Sequence, residues 1–249
     1  MARRPRADER QTSQTPVWTA TRPQTMVDHA VSAIIAGAAR GVILPGDRIV
    51  ESDLSKVLNM SRVPIREALR ILESQGVVTS VPYQGIRLMD VTHERLVQIL
   101  DVRENLEILA TRRAIEAGAN DRPGVEKLKK ARHELKVRAS LGDIYDFALA
   151  DAQFHRVLVG RANNPVLSVL WESLARQMTI IVGLSTLGKT MKSIVEEHDV
   201  LIDTFASGDV GRMADELHDH IYVLSTSLDF DAIVAERKRQ RQRQMEATP

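Results

Sequence analysis

From Thr92 to about residue 228 the chain offers no convincing strand. Apolar residues recur there at helical spacing, with breaks at Gly118, Leu141-Gly142, Asn163-Asn164-Pro165, Gly188 and Gly208. A stretch of this kind must bury its apolar stripes by packing helix on helix. The breaks divide it into six helices at about 92–118, 122–140, 143–161, 165–185, 189–207 and 209–228. Short connections make successive helices antiparallel, so the expected architecture is an all-α bundle. The third break is the clearest: Asn164 can cap the next helix, and Pro165 takes its first position, where a missing N–H costs nothing. There is no internal repeat and no heptad long enough for a coiled coil.

The chain before Thr92 is patterned differently. Residues 1–22 are polar and basic without period and are expected to form a disordered arm. A helix is expected from Gln24 to Gly41, with Val27, Ala30, Val31, Ile34, Ile35 and Ala38 as its stripe. A Pro45-Gly46 turn and a short strand follow, then a short helix burying Leu54, Val57 and Leu58. The next helix has Ser61 as its N-cap, Pro64 in its first turn and Gly76 as its stop, and it buries Ile65, Ala68, Leu69 and Leu72. Two strands, VVTS and IRLM, are joined by the tight VPYQG connection. This order is the plan of a winged helix-turn-helix. The expected fold is therefore mainly α: a winged helix-turn-helix with a small β-hairpin wing over 23–90, an antiparallel bundle of about six helices over 91–230, and a basic tail over 231–249.

Composition narrows the chemistry. The absence of cysteine excludes disulfides, thiolate zinc sites and cysteine nucleophiles. Aromatics at 4% argue against base-stacking platforms for single strands. Residues 1–90 carry 12 Lys and Arg against 9 Asp and Glu, residues 91–236 carry 17 against 23, and residues 237–249 carry 5 against 1. A basic front and an acidic middle imply different partners, and the middle should not bind a polyanion. No run approaches the ~18 apolar residues of a membrane span, and the N-terminal segment lacks the apolar core of a secretory signal. A cytoplasmic protein without membrane contact is expected. The tail ERKRQRQRQ reads as a solvated helix end that could add nonspecific phosphate contacts, and neither Trp18 nor Trp171 suggests a role.

Arg62, Arg66 and Arg70 lie at i, i+4 and i+8, on the side opposite Ile65, Leu69 and Leu72. On the second helix of a helix-turn-helix, three guanidinium forks can reach phosphates and guanine edges in the major groove. Ser61 and the first-turn N–H groups could hold a phosphate. The stretch GVILPGDRIVESDLSKVLNMSRVPIREALRILESQGVVTSVPYQGIRL resembles the DNA-binding domain of the GntR family of bacterial repressors. The matching marks include Pro45-Gly46, Glu51, Leu54, Ser61-Arg62, Pro64, Arg66-Glu67-Ala68-Leu69, Leu72, Gly76 and Gly85. The resemblance implies that Ser61, Arg62 and Arg66 contact double-stranded operator DNA. It also implies that the wing around Tyr83, Gln84 and Gly85 enters the minor groove.

In the helical part, four polar residues fall on stripes that should be buried. Asp151 and His155 share one with Phe147, Phe154 and Leu158; His198 shares one with Leu201, Ile202 and Phe205; His220 shares one with Met213, Leu217 and Leu224. His218 is roughly 200° around the helix from His220, and His220 is the inward one. Buried groups of this kind must be paired or metal-bound. By spacing alone, hydrogen-bonded core histidines and a divalent site for Zn, Ni or Mn both fit. Arg103 is a further misfit, between Ile99, Leu106 and Ala110, with Glu107 or a ligand as its partner. The segments RENLE, DAQFH, EEHDVLIDTFASGD and MADELHDHI resemble the FCD effector domain of the FadR subfamily within GntR. Six helices point to the VanR-like subgroup. That resemblance implies metal ligation by Asp151, His155, His198 and His220, and an effector cavity faced by Arg103. A divalent ion and a guanidinium together suit a small organic acid or sugar acid.

The function expected is a homodimeric DNA-binding regulator, a repressor by family habit, controlled by such an effector. Two other classes remain open on the residues alone. One is a metal-dependent hydrolase or oxygenase, for which no general base can be placed. The other is a DNA-binding protein whose bundle is structural or holds a purely structural metal.

Overall fold

The computed structural model describes residues 25–246; the expected basic arm and Trp18 lie outside the described residues. Helix α1 (Met26–Ala39) opens with a reciprocal cap: Asp28 N–H donates to the Thr25 hydroxyl at 3.1 Å, and Thr25 N–H donates to the Asp28 carboxylate at 2.9 Å. Strand β1 (Arg48–Ile49), α2 (Glu51–Val57) and α3 (Arg62–Ser74) follow, then β2 (Val78–Val81) and β3 (Gly85–Leu88). The sheet has the order β1-β3-β2 and is antiparallel throughout, with Val78 opposite Leu88, Val81 opposite Gly85 and Arg48 opposite Arg87. Tyr83 at the hairpin tip has φ 62°, a left-handed conformation that the tight reversal imposes on a non-glycine residue. One expectation fails in α2. Val57 is 80% exposed, and only Leu54 and Leu58 turn partly inward, because a helix of two turns has room for a single narrow stripe.

The bundle consists of α4 (His93–Glu116), α5 (Arg122–Leu141), α6 (Ile144–Gly160), α7 (Pro165–Ser185), α8 (Met191–Ser207) and a last helix in three parts. These parts are α9 (Val210–His218), a π turn (Asp219–Val223) and α10 (Leu224–Thr226). Side-chain caps start most of them: Thr92, Asp121, Asp143, Asn164, Thr190 and Asp209 each accept a first-turn N–H. Among the described residues α7 is the helix long and apolar enough to cross a membrane, yet 56% of its apolar window is buried inside the protein, as befits a central bundle helix.

Head and bundle share one core. Ile34, Leu69 and Leu72 of the head belong to the same cluster of buried residues as Phe154, Ile180 and Leu201 of the bundle. The join is α1 against α7, where Gly183 lets the backbones touch: a Cβ there would sit 2.7 Å from the Ala39 carbonyl oxygen. Arg40 extends the join, donating to both Asp143 oxygens at 2.9 and 2.8 Å.

The tail departs from expectation. Its charge suggested a solvated helix end, but α11 (Phe230–Glu246) runs back from the bundle and lies against the head. Apolar Phe230, buried at its start, anchors it, and acceptors on the head offset its cationic charge.

Candidate DNA-reading head and metal centre

Helix α3 buries Ile65, Ala68, Leu69 and Leu72, which turns Arg62, Arg66 and Arg70 to the solvent. Arg66 Nε donates to Glu51 Oε2 at 2.9 Å, so the first residue of α2 fixes the direction of that guanidinium. Ser61 stands at the N-cap in extended geometry, but its hydroxyl caps no N–H. The reason is local. The third helical residue is Pro64, which has no N–H to donate to a capping oxygen. Ser61, Arg62 and Val63 are all exposed. On the wing, Tyr83, Gln84 and Gly85 are all exposed. Sequence reasoning missed Arg48: pairing of β1 with β3 brings its guanidinium beside Gly85, where a Cβ would stand 3.2 Å from Arg48 Nε.

In the bundle, α6, α8 and the π turn bring the three expected histidines together. One ring nitrogen from each of His155, His198 and His220 lies within 4.8 Å of the others. The second nitrogens determine the tautomers. His155 Nδ1 lies 2.7 Å from Glu107 Oε2, and His198 Nδ1 lies 2.7 Å from the Ile194 carbonyl. Both acceptors require an N–H, so Nδ1 carries a proton in both rings, and the neutral form of each ring presents a lone pair at Nε2. This is the orientation that metal-ligating histidines adopt, one nitrogen to the ion and the other to a carboxylate or carbonyl.

The three imidazoles form a set that could hold a divalent cation; Asp151, the fourth expected ligand, lies outside that set and approaches it only at His198. His198 Nε2 faces Asp151 Oδ1 at 3.2 Å, a lone pair against a carboxylate oxygen, and His198 Nε2 has no hydrogen-bond partner. His155 Nε2 faces His220 Nε2 at 3.1 Å. If His220 donates there, its buried Nδ1 is left without a hydrogen bond, since Glu197 Oε2 is 3.7 Å away. A cation among the three imidazoles would engage ring nitrogens that otherwise face one another. His218, the alternative to His220, is half exposed and bonded to Glu104 at 3.0 Å.

Electrostatics around the cluster follow from burial and charge. Burial lowers the pKa of His155 and puts that of His220 well below the ordinary histidine value, the latter helped by the positive charge of its neighbours. Burial alone would raise Glu107 and Asp151. At Glu107 contact with His155 and Arg103 overturns this, and contact with His198 does so at Asp151. Both carboxyls are thereby held below the usual carboxylate range.

Glu107 is the residue the sequence undervalued. It is fully buried and accepts from Arg103 Nε at 2.8 Å, Trp171 Nε1 at 2.9 Å and His155 Nδ1 at 2.7 Å. Spacing showed it as a partner for Arg103 four residues away, but nothing local linked it to His155 or gave Trp171 a role. Of the two expected partners, Arg103 pairs with Glu107; it also lines a cavity of about 50 Å³ beside the histidines. Asp151, Glu197, Lys189, Met178 and Phe230 also line that cavity. The Lys189 ammonium pairs with the Glu197 carboxylate.

A winged helix-turn-helix docked on a helical bundle, with an imidazole cluster and a small charged cavity inside, defines a DNA-binding transcriptional regulator rather than an enzyme. Comparison with known proteins supplies the family. Residues 27–88 match the bacterial regulatory proteins of the gntR family, residues 98–222 match the FCD domain, and the chain belongs to the GntR family of regulators that carry this domain. It is 26% identical over 197 residues to a probable D-xylose utilization operon transcriptional repressor of Paenarthrobacter nicotinovorans, covering 79% of this chain and 86% of that one. It is 25% identical over 184 residues to the gluconate operon transcriptional repressor of Bacillus subtilis (strain 168), covering 72% and 74%. Among solved structures it shares its fold with E. coli McbR/YncC, at TM-score 0.65 and 20% identity over 88% of this chain and 100% of the other. FCD domains are often metal-associated, and the histidine triad here could hold a metal.

Proposed function

We propose that the protein is a cytoplasmic, homodimeric repressor that binds a palindrome-like operator and is controlled by a small organic acid or sugar acid. Asp151, His155, His198 and His220 would hold a divalent ion, Zn, Ni or Mn, and Arg103 would pair with the effector. The observation that carries this reading is the tautomer set: His155 and His198 give their Nδ1 protons to Glu107 and Ile194, leaving two Nε2 lone pairs aimed at the same small volume. A bound ion supplies a positive, Lewis-acidic centre at which a carboxylate can bind. Arg103 has one N–H engaged by Glu107 and offers the rest of its fork to the cavity. The relatives named as regulators of D-xylose and gluconate operons support a sugar-derived ligand.

On the DNA side, Arg62, Arg66 and Arg70 would enter the major groove while Ser61 and the α3 amides hold a phosphate. Tyr83, Gln84 and Gly85 would reach the minor groove. Two such heads must address half-sites about 34 Å apart. Effector binding changes operator affinity by its preference for one arrangement of the heads, typically about 1–3 kcal/mol. Helix α7 offers a route for this coupling, since Met178 and Ile181 line the cavity and the adjoining Gln177 bonds to the end of α3.

The test is metal analysis of untagged protein, with thermal-shift screening of sugar acids before and after chelation. About one divalent ion per chain is expected, lost in His198→Ala, with acids raising the melting temperature only in metal-loaded protein. Absence of a stoichiometric ion, or equal shifts after chelation, would overturn the metal-dependent reading. Metal that binds while no acid shifts the protein would leave a structural ion.

A further inference from the structure

The C-terminal helix α11 has no task in the scheme so far. It is strongly basic, and each of its cations has a partner within the protein. Arg239 and Arg243 both pair with Glu236, and Arg237 donates to Gln240. The other two point at the head. Lys238 Nζ donates to the Pro45 carbonyl at 3.0 Å, and Arg241 grips the Asp47 carboxylate at 2.5 and 3.1 Å.

Their target is the Pro45–Asp47 turn, and that turn is the root of the wing. Gly46 N–H donates to the Leu88 carbonyl at 3.1 Å, and Leu88 N–H donates to the Asp47 carbonyl at 3.0 Å. Arg87 Nη1 donates to the Gly46 carbonyl at 2.7 Å. The two residues after the turn form β1, which pairs with β3. The turn is also boxed in. Gly46 is left-handed at φ 78°, and a Cβ on it would come within 2.9 Å of Asp90 Oδ1 and 4.0 Å of Lys238 Nζ. Whatever holds Pro45 and Asp47 therefore sets where β3 and the hairpin tip emerge from the head. At its other end, α11 begins with Phe230, buried in the wall of the cavity that Arg103 lines.

We propose that α11 is a strut fixing the wing's position, with Lys238 and Arg241 as positioning residues for duplex reading: they touch no DNA but orient the part that does. The inference rests on the wing being a DNA-contacting element. A direct phosphate contact by the tail is the competing account, and salt dependence separates the two, because each lost phosphate contact flattens the slope by about 0.9.

The experiment uses full-length protein and a duplex enriched by the wild type from a random-sequence library. Arg241→Ala, Arg241→Lys and the double variant Lys238→Ala/Arg241→Ala are titrated between about 50 and 200 mM salt, where phosphate contacts are strongly salt-sensitive. Arg241→Ala is expected to weaken binding about two- to fivefold and the double variant about tenfold, with Arg241→Lys recovering most of the loss. The salt slope stays at the wild-type value. Amide exchange speeds up over residues 44–49 in Arg241→Ala while amides around His155 and His198 keep their protection, which separates a loosened wing root from general unfolding. Undiminished affinity in the double variant overturns the proposal, and so does a shallower salt slope. If the wild type enriches no duplex, the assignment of the head as DNA reader falls and this inference falls with it.

Discussion

Gln177 of α7 donates its side-chain amide to the carbonyl of Gln75, 2.8 Å away, at the C-terminus of the helix that carries Arg62, Arg66 and Arg70. Arg176 adds a bond to the Gln75 side chain. Met178 and Ile181, on the same helix, line the charged cavity. One helix thus touches both the cavity and the end of α3.

Replacing Gln177 with Leu keeps the buried volume and removes the bond. It also removes an amide oxygen that is buried without a hydrogen-bond partner, so the protein should stay folded. Gel-shift titration of metal-loaded protein is expected to show basal duplex affinity within about threefold of wild type. The change in affinity on adding a sugar acid that shifts the melting temperature of the wild type should shrink by about fivefold, the worth of one hydrogen bond within a coupling of a few kcal/mol. An undiminished response to that acid would route the coupling elsewhere.

Glu107 joins three elements through Arg103, His155 and Trp171. Glu107→Gln leaves the buried Arg103 guanidinium without its counter-charge and offers one acceptor oxygen where two served. Loss of one member of a buried pair typically costs about 3–5 kcal/mol, and loss of a ligand-orienting carboxylate about 10–100-fold in metal affinity. Calorimetric titration of chelator-stripped protein with zinc should show that weakening, and thermal melting the destabilisation. Glu126→Gln, at an exposed position on α5, is the control expected to change neither.

What the sequence revealed and what it hid have one physical basis. Periodicity reports which residues face a core, so the buried set of α3 and the inward positions of Asp151, His155 and His198 were legible from spacing. His220 was legible too, although the π turn at Asp219–Val223 lets both it and fully buried Ile221 face inward, which a regular helix stripe does not show. Glu107 as the partner of His155 was not legible, because 48 residues separate them and only the packing of α4 on α6 joins them. The docking of α11 was hidden for a related reason. Its partners Pro45 and Asp47 lie 193 and 194 residues away from Lys238 and Arg241, and charge alone suggested solvent. Ser61 shows the reverse error. Its residue type indicated a cap, and Pro64 three positions on removed the donor.

Metal-stripped protein should lose stability as pH falls from about 7 to 5. Burial lowers the pKa of His155 and of His220 in the fold, while in the unfolded chain each titrates near the ordinary value of 6.5. A depressed folded value means the unfolded state binds protons first. The stabilisation is therefore fully present above about 6.5 and is lost as pH falls from there toward the folded value, by up to about 1.4 kcal/mol per pH unit for each histidine. Melting temperature measured against pH in chelator should decline over this window, and His220→Asn should flatten the decline. A flat profile in the stripped wild type would contradict the burial of neutral imidazoles.

Arg66 is held by Glu51 at 2.9 Å while 59% of its side chain remains exposed, so the guanidinium is aimed without being sequestered. Arg66→Ala should cost about 1–3 kcal/mol of discrimination on the selected duplex if it reads a base edge. Glu51→Ala keeps the Arg66 guanidinium, releases its direction and removes one negative charge beside it, and is expected to lose specificity while nonspecific binding is maintained or strengthened. Competition titration with calf-thymus DNA separates the two effects; equal losses on both DNAs would make Arg66 a phosphate contact instead.

The choice between His218 and His220 gives the sharpest check on the metal centre, because the two are chemically identical and two residues apart. His220 directs Nε2 to within 3.1 Å of His155 Nε2, whereas His218 stacks on Tyr222 with ring centroids 5.4 Å apart and bonds to Glu104. Replacing either removes one imidazole from the same helix, so effects on helix propensity and net charge are matched. His220→Ala is expected to lower zinc occupancy well below one per chain, and His218→Ala to leave it unchanged, by mass spectrometry under non-denaturing conditions. Cobalt substitution adds a second readout: the absorption of the Co(II) ligand field reports coordination directly, and it should change in His220→Ala alone. Equal zinc retention in both variants would remove His220 from the ligand set and leave His155, His198 and Asp151 to bind the ion unaided.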